Sequence, residues 1–264
     1  MPEIQRFYVA TRHGRIHVAS CGDGRPILLL HQTPRSWDEY RDVLPLLGSE
    51  FRAIAMDTPG FGDSDPAPSG SATIEVWAAT ALAVLTELGV ERAAVAGHHT
   101  GAAIALEAAA QSPGRVSRLI LSACPFVDAP RRARHAARPV IDEVDESPNG
   151  EHLIRLWRQR RPYYPANNID LLNRLVRDAL RAGPLAAEGH RIVNRYRMED
   201  RIGLVRSPTL VIAPAEDPNC DPACRLVAQS IPGSILHVVP GGQVPFPDGM
   251  PKVFADLVRG FVPR

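Results

Sequence analysis

The sequence predicts an α/β fold whose sheet is mostly parallel, and two observations support this prediction. Short apolar runs alternate with segments of helical periodicity over most of the chain. The run from Pro26 to His31 shows no polar alternation, which is typical of a strand with both faces buried. Because strands that alternate with helices usually pair in parallel, we expect one sheet flanked by helices.

Turn residues and apolar runs define the elements before residue 124. The pairs His13-Gly14 and Asp23-Gly24 mark turns between the first strands, and Gly89 ends a helical pattern. We predict strands over residues 7–10, 16–19, 26–31, 51–56, 93–97 and 116–122, and helices over residues 37–47, 73–88 and 101–110.

A different pattern occupies residues 125–200, where no strand-like run occurs. Apolar residues at helical spacing over 153–157 and 169–176 predict helices there, so we interpret this segment as a helical insertion. The sheet pattern then resumes. We predict strands over residues 209–213 and 235–239, and helices over residues 223–230 and 251–261.

Composition excludes several classes of protein. The 30 Lys and Arg residues nearly balance the 29 Asp and Glu residues, which argues against nucleic-acid binding. No apolar run approaches the roughly 18 residues that a membrane helix needs. The first six residues lack the layout of a signal peptide, and the four cysteines are too few for a disulfide scaffold. We therefore expect a cytoplasmic protein with reduced thiols and no contact with membranes. The oligomeric state is left open.

The strongest chemical signal is the segment Gly97-His98-His99-Thr100-Gly101, between a predicted strand and a predicted helix. In the nucleophile elbow G-x-S-x-G, two glycines allow a strained turn that exposes the central residue. Gly97 and Gly101 keep this spacing, and His99 is the central residue.

Around this turn the chain resembles the α/β-hydrolase superfamily over nearly its whole length. The segment 57–64, Asp-Thr-Pro-Gly-Phe-Gly-Asp-Ser, matches the D-x-x-G-x-G-x-S loop of that family closely. The segment 31–34 is similar to its His-Gly turn, with Gln32 in place of glycine, and Trp37 lies where the family often has tryptophan.

The resemblance implies an α/β-hydrolase fold, a mostly parallel sheet flanked by helices with an inserted helical cap. The core would comprise residues 1–124 and 201–264, and the cap residues 125–200. The family chemistry implies no cofactor. The resemblance also implies an oxyanion hole formed by the backbone N–H groups of Thr33 and Thr100.

This chain departs from the family at the catalytic positions. The usual Ser, acid and His triad corresponds here to His99, Asp217 and Gln243. Because the nucleophilic hydroxyl and its imidazole base are both absent, the serine mechanism cannot operate with these residues. The chemistry has to be argued from the site itself.

His99 is nevertheless able to do chemistry. The positive end of the helix that follows disfavours an imidazolium, and a neutral imidazole acts as a base, nucleophile or hydrogen-bond partner. We expect Gln243 to orient the His99 ring, with Asp217 holding the Gln243 amide.

Three functions are compatible with these residues. The first is hydrolysis of an ester, lactone, thioester or amide carbonyl in a small molecule through a His-centred site. The second is non-hydrolytic carbonyl chemistry of a lyase, isomerase or cyclase, with His99 as the base. The third is a ligand-binding homologue without catalysis.

Substrate contacts are predicted from the cap and the turn after the third strand. We expect Gln32, Trp157 and Tyr163 to touch the substrate. Arginines crowd residues 155–161, and one that points inward would select an anionic ligand. The acidic run 142–146 is expected to be exposed. No metal site is expected, because His98 and His99 are adjacent on a turn and point apart.

Overall fold

The structure is a computed structural model that describes residues 2–67, 70–136 and 138–263. Met1, Pro68, Ser69, Ala137 and Arg264, which fall within the predicted domain ranges, lie outside the described residues. The strands are β1 (Gln5–Thr11), β2 (Gly14–Cys21), β3 (Arg25–Leu30), β4 (Phe51–Met56), β5 (Ala93–His98), β6 (Val116–Ser122), β7 (Thr209–Pro214) and β8 (Ile235–Val239).

These strands form one sheet in the order β1-β2-β4-β3-β5-β6-β7-β8. The pairs β1–β2 and β2–β4 are antiparallel, and the other neighbours are parallel. The predicted α/β fold with a mostly parallel sheet is therefore confirmed. The parallel part brings the carboxyl ends of β3, β5, β6 and β7 to one edge.

The helices are α1 (Leu44–Leu47), α2 (Ile74–Glu87), α3 (Thr100–Gln111), α4 (Ala129–Ala136), α5 (Glu151–Arg160), α6 (Ile169–Ala182), α7 (Leu185–Arg195), α8 (Ala223–Ser230), α9 (Phe246–Gly249) and α10 (Pro251–Phe261). Thr73 caps α2, because its side-chain oxygen accepts the N–H of Val76 at 3.2 Å.

The helix predicted over residues 37–47 is wrong as a single element. A 3₁₀ turn covers Trp37–Tyr40, and α1 begins only at Leu44. Pro45 explains the break, because it has no N–H to donate to the carbonyl four residues earlier and its ring would clash with that carbonyl. Proline is tolerated in the first turn of a helix, where it lies in α1.

The sheet is buried on both faces, as the unbroken apolar run of β3 predicts. Leu28 and Leu30 pack with α2 and α3 on one face, whereas Ile27 and Leu29 pack with α1 and α10 on the other. All four side chains are at most 1% exposed. Because successive strand residues point to opposite faces, one strand anchors both helical layers.

Between β6 and β7 the described chain is helical, and we call α4 to α7 the helical insertion. It is joined to the sheet domain by buried ion pairs. The fully buried Arg35 guanidinium binds Asp178 of α6 at 2.9 Å and also contacts Asp248. Arg174 of α6 binds Asp38 at 2.6 Å. Although burial lowers the pKa of Arg35, Asp248 and Asp178 raise it well above its ordinary value.

No helix among the described residues is both long and apolar enough to cross a membrane.

Removal of the Arg35 charge tests this connection. Arg35→Met would remove the nearest counter-charge of the buried carboxylates Asp178 and Asp248 and leave them only the more distant Arg177 and Arg174. We therefore expect it to lower the free energy of unfolding by about 3–5 kcal/mol. Guanidinium denaturation followed by circular dichroism measures the change. The control Arg225→Gln breaks an exposed pair with Asp221 and should change stability by less than about 0.5 kcal/mol. Equal stability of the two variants would contradict the ion-pair argument.

Candidate active site

The candidate site lies at the carboxyl edge of the parallel strands, where open α/β sheets usually bind ligands. Thr33 follows β3, His99 follows β5 and Asp217 follows β7. Residues far apart in sequence meet there because their strands are neighbours in the sheet.

His99 occupies a strained turn between β5 and α3. Its φ of 48° and ψ of −110° lie outside the regions that L-residues favour. The flanking glycines make this turn possible, since a Cβ on Gly97 would lie 2.0 Å from the carbonyl oxygen of Gly101. A Cβ on Gly101 would lie 1.9 Å from that of Leu30. Backbone strain of this kind is concentrated at functional sites.

The His99 ring reaches Asp217 directly. Its Nε2 lies 2.7 Å from Asp217 Oδ2, although this approach is not aligned as a linear hydrogen bond. The other carboxylate oxygen, Oδ1, accepts the backbone N–H of Asn219 at 2.9 Å and its side-chain amide at 3.0 Å. Asn219 therefore orients the carboxylate that faces the imidazole.

The electrostatics of this pair favour an ionised carboxylate. Burial alone would raise the pKa of Asp217, but His99 and the Asn219 N–H lower it below its usual range. The His99 side chain is 16% exposed and lines a cavity, and its Nδ1 has no hydrogen-bond partner among the described residues. The imidazole thus has one nitrogen against a carboxylate and the other available to a ligand or water.

Two neighbouring histidines have structural contacts instead. His98 is buried, with Nε2 2.8 Å from the Val244 carbonyl oxygen and Nδ1 3.0 Å from Ser122 Oγ. Burial and the adjacent His99 lower the pKa of His98 to about 3. His31 accepts the N–H of Thr58 on its Nε2 at 2.9 Å. Both rings brace loops around the site.

Gln243 does not lie between Asp217 and His99, contrary to our expectation. Its Nε2 donates to Glu216 Oε2 at 3.4 Å, and the carboxylate of Asp217 contacts the imidazole without an intermediary. The direct contact is possible because an imidazole at position 99 extends much farther from the backbone than a serine hydroxyl would.

The expected oxyanion-hole residues lie side by side, but one donor is engaged. The backbone N–H of Thr33 donates to Thr100 Oγ1 at 3.3 Å. Because that oxygen accepts a hydrogen bond, the Thr100 hydroxyl keeps its own hydrogen for a ligand. Both threonines line the cavity.

The cavity has a volume of about 310 Å³ and lies between the sheet domain and the helical insertion. The sheet domain contributes Gln32, Thr33, His99, Thr100, Asn219 and Val244. The helical insertion contributes the cationic and imidazole side chains of the cavity, which are Arg131, His135, Arg138, Arg160 and His190. None of the described lining residues is an Asp or Glu, so the electrostatic character of the cavity disfavours cations.

The predicted substrate contacts are only partly brought together. Gln32 and Tyr163 line the cavity, whereas Trp157 does not and packs in a separate cluster with Leu172 and Leu175 of α6. An aromatic residue on an amphipathic helix usually faces its neighbouring helix, and Trp157 follows that rule. The side-chain amide of Gln32 is itself held by Glu39 Oε1 at 2.6 Å.

Arg160 is the inward-pointing arginine of the run 155–161, but its charge is compensated. Its Nε donates to Asp142 Oδ1 at 2.7 Å, and His190 Nε2 lies 3.0 Å from Asp142 Oδ2. Asp142 is 4% exposed, so the expectation of an exposed acidic run is wrong at its first residue.

Sequence reasoning missed Asn219 and the Asp142–Arg160–His190 cluster. No sequence signal joins Asp142 to residues 18 and 48 positions away.

One cluster among the described residues has metal-ligand spacing, and it lies away from this cavity. Ligand atoms of His17, Asp57 and Asp63 lie within 4.8 Å of one another. The Asp57 carboxylate already accepts the N–H groups of Trp37 and Asp63 and contacts His17 at 2.9 Å. These bonds explain the cluster as a loop brace.

Comparisons with known proteins match this architecture. A family model described as the alpha/beta hydrolase fold matches residues 25–243. The enol-lactonase from Burkholderia xenovorans LB400 superposes with a TM-score of 0.77 at 20% identity, covering 97% of this chain and 99% of that one. This likeness supports the fold alone.

Several curated relatives of this chain are named as hydrolases. A 2-hydroxy-6-oxononadienedioate/2-hydroxy-6-oxononatrienedioate hydrolase of Cupriavidus pinatubonensis is 29% identical over 245 residues, 85% of this chain and 82% of that protein. Epoxide hydrolase 3 of Siraitia grosvenorii is 35% identical over 144 residues, 54% of this chain and only 44% of that protein. From the family match and the fold together, the chain belongs to the α/β-hydrolase fold family.

Proposed function

We propose that this protein is a small-molecule hydrolase that cleaves an ester, lactone, thioester or amide with a His99–Asp217 pair. The observation that carries the proposal is the position of His99, on a strained turn, 2.7 Å from Asp217 and open to the cavity. Relatives named as hydrolases support the same class of reaction.

In this mechanism His99 acts as a general base. Asp217 faces Nε2, which favours the tautomer with its proton on Nε2 and leaves the Nδ1 lone pair free. Nδ1 removes a proton from water as the water attacks the substrate carbonyl, and Asp217 stabilises the resulting imidazolium. The same imidazolium returns the proton to the leaving group. No covalent intermediate is required, so the absent serine is not needed.

Thr33 and Thr100 provide the donors for the developing oxyanion. The backbone N–H of Thr100, in the first turn of α3, has no acceptor among the described residues, as expected at a helix N-terminus. Its hydroxyl adds a free hydrogen beside the cavity, and rotation of this side chain would release the Thr33 N–H. Donors that are already placed before the reaction contribute strongly to rate in a site with little water. The helical insertion closes the other side of the cavity, and we propose that it acts as the cap.

Proton transfer beside a carbonyl is a second candidate, favoured by the lack of a serine or cysteine among the described cavity residues. The same base and donors would then form an enolate. Exchange of a carbonyl-adjacent proton with solvent, without cleavage, would favour this reaction over hydrolysis.

The first prediction concerns the base. His99→Ala should lower kcat/KM for hydrolysis of activated 4-nitrophenyl esters by about 10²- to 10⁴-fold, because water loses its proton acceptor. Initial rates of nitrophenolate release measure this loss. His237→Ala is the matched control, since His237 is exposed on β8, and it should retain wild-type rates. Unchanged turnover in His99→Ala would refute the mechanism.

The second prediction concerns Asp217. Asp217→Asn should lower kcat by roughly 10³-fold, because an amide does not stabilise the imidazolium. The folded-state pKa of Asp217 is below its usual range, so the carboxylate stabilises the fold above about pH 4 and this contribution is lost as pH falls. Thermal melts from pH 7 to 3 should show the stability difference between wild type and Asp217→Asn shrinking. A constant difference would contradict the charge pairing.

The third prediction concerns the oxyanion donor. Thr100→Val keeps the shape of the side chain but removes its hydroxyl, so kcat should fall by about 10²-fold. Thr100→Ser keeps the hydroxyl and should retain most of the activity. Steady-state kinetics on the same ester compare the two variants, and equal rates would exclude a role for the hydroxyl.

A further inference from the structure

The arginines of the cavity differ in how their charges are compensated. Arg160 is buried against Asp142, which neutralises it. Arg131, on α4, lines the same cavity and makes no ion pair with any described residue. The acidic side chain one turn earlier, Asp128, accepts the backbone N–H of Arg131 at 2.8 Å. Among the described arginines that line this cavity and are at least partly buried, Arg131 is therefore the one without an ion pair.

The Arg131 side chain is nevertheless held in place. Its Nε donates to the side-chain oxygen of Asn194 at 3.2 Å, and Asn194 lines the cavity as well. The two terminal nitrogens have no hydrogen-bond partner among the described residues. Burial and the nearby Arg134 lower the pKa of Arg131. The terminal N–H groups of this half-buried guanidinium are therefore available to bind an anion.

We infer that the substrate of this site carries a carboxylate group, which binds the two terminal nitrogens of Arg131 while the reacting carbonyl lies against His99. This inference rests on the proposed function, because it identifies the substrate class of the same cavity. The planar fork of a guanidinium matches the two oxygens of a carboxylate. The described lining contains no Asp or Glu, so no protein carboxylate there competes for these terminal nitrogens.

The choice of Arg131 over its neighbours follows from contacts. Arg132 is paired with Glu199, and Arg134 is exposed and does not line the cavity. Arg138 lines the cavity but is exposed, so water screens its charge. Only Arg131 combines partial burial, a fixed Nε and free terminal nitrogens within the described lining.

Calorimetric titration with glutarate tests the inference without any need for turnover. We expect wild type to bind glutarate, and Arg131→Gln to weaken this binding by about tenfold to 100-fold. Glutaramide, the neutral analogue, should bind weakly and equally to both proteins. Arg134→Gln, on the same helix, is the matched control and should bind glutarate like wild type.

A conservative variant covers the case in which Arg131→Gln does not fold. Arg131→Lys keeps the charge but loses the fork, so it should bind glutarate more weakly than wild type and more tightly than Arg131→Gln. The inference is wrong if wild type does not bind glutarate, if glutaramide binds equally well, or if neither Arg131 variant weakens binding.

The ester assay and the glutarate titration, taken together, separate this inference from the proposed reaction. Arg131-dependent glutarate binding with no ester hydrolysis by wild type would overturn the hydrolase proposal and leave the carboxylate subsite standing. If neutral esters are hydrolysed through His99 but glutarate binding is the same in wild type and the Arg131 variants, the carboxylate subsite is wrong and the hydrolase proposal stands.

Discussion

The site depends on the close approach of the first turn of α3 to β3 and β5. Gly97 and Gly101 leave no room for a Cβ, since each would meet a backbone oxygen at about 2 Å. This packing fixes where α3 begins and forces His99 into a positive φ. The direction of its side chain, and hence its contact with Asp217, follows from the backbone rather than from flexible loops.

The same packing places the other polar groups. Thr100 begins α3 directly after His99, so its hydroxyl lies beside the N–H of Thr33 at the end of β3. Asp217 follows β7, two strands away from β5 in the sheet, and reaches the site because the imidazole spans the gap. His99 thus lies where the Asp217 carboxylate, the threonine donors and the cavity meet.

The sequence predicted the fold well because the signals for it are local. Alternating apolar runs and helices, with glycines at the turns, placed β4, β6, β8 and α8 at their observed bounds. Long-range pairing was harder to predict. The contact of Gln243 with Glu216, the packing of Trp157 against α6 and the pairing of Arg160 with Asp142 all depend on tertiary geometry. The 3₁₀ turn at Trp37–Tyr40 was missed because the effect of Pro45 outweighs the helical pattern.

Although the total charge is nearly neutral, the arginines lie in two different environments. Arg35 and Arg174 are compensated by buried carboxylates that join α6 to the sheet domain. Arg131 has no such partner and faces the cavity. Removing one partner of a buried ion pair destabilises the fold, whereas a partly buried cation without a partner favours an anionic ligand. Charge balance over the whole chain therefore says little about the substrate.

The central claim is that the His99–Asp217 pair activates water without forming an acyl-enzyme. Stopped-flow measurement of nitrophenolate release from 4-nitrophenyl acetate tests it most directly. The account predicts release that is linear from the first turnover and slower in D₂O, because proton transfer to His99 occurs in the rate-limiting step. A burst equal to the enzyme concentration that disappears in His99→Ala would contradict it, because such a burst is the kinetic signature of a covalent acyl-His99 intermediate.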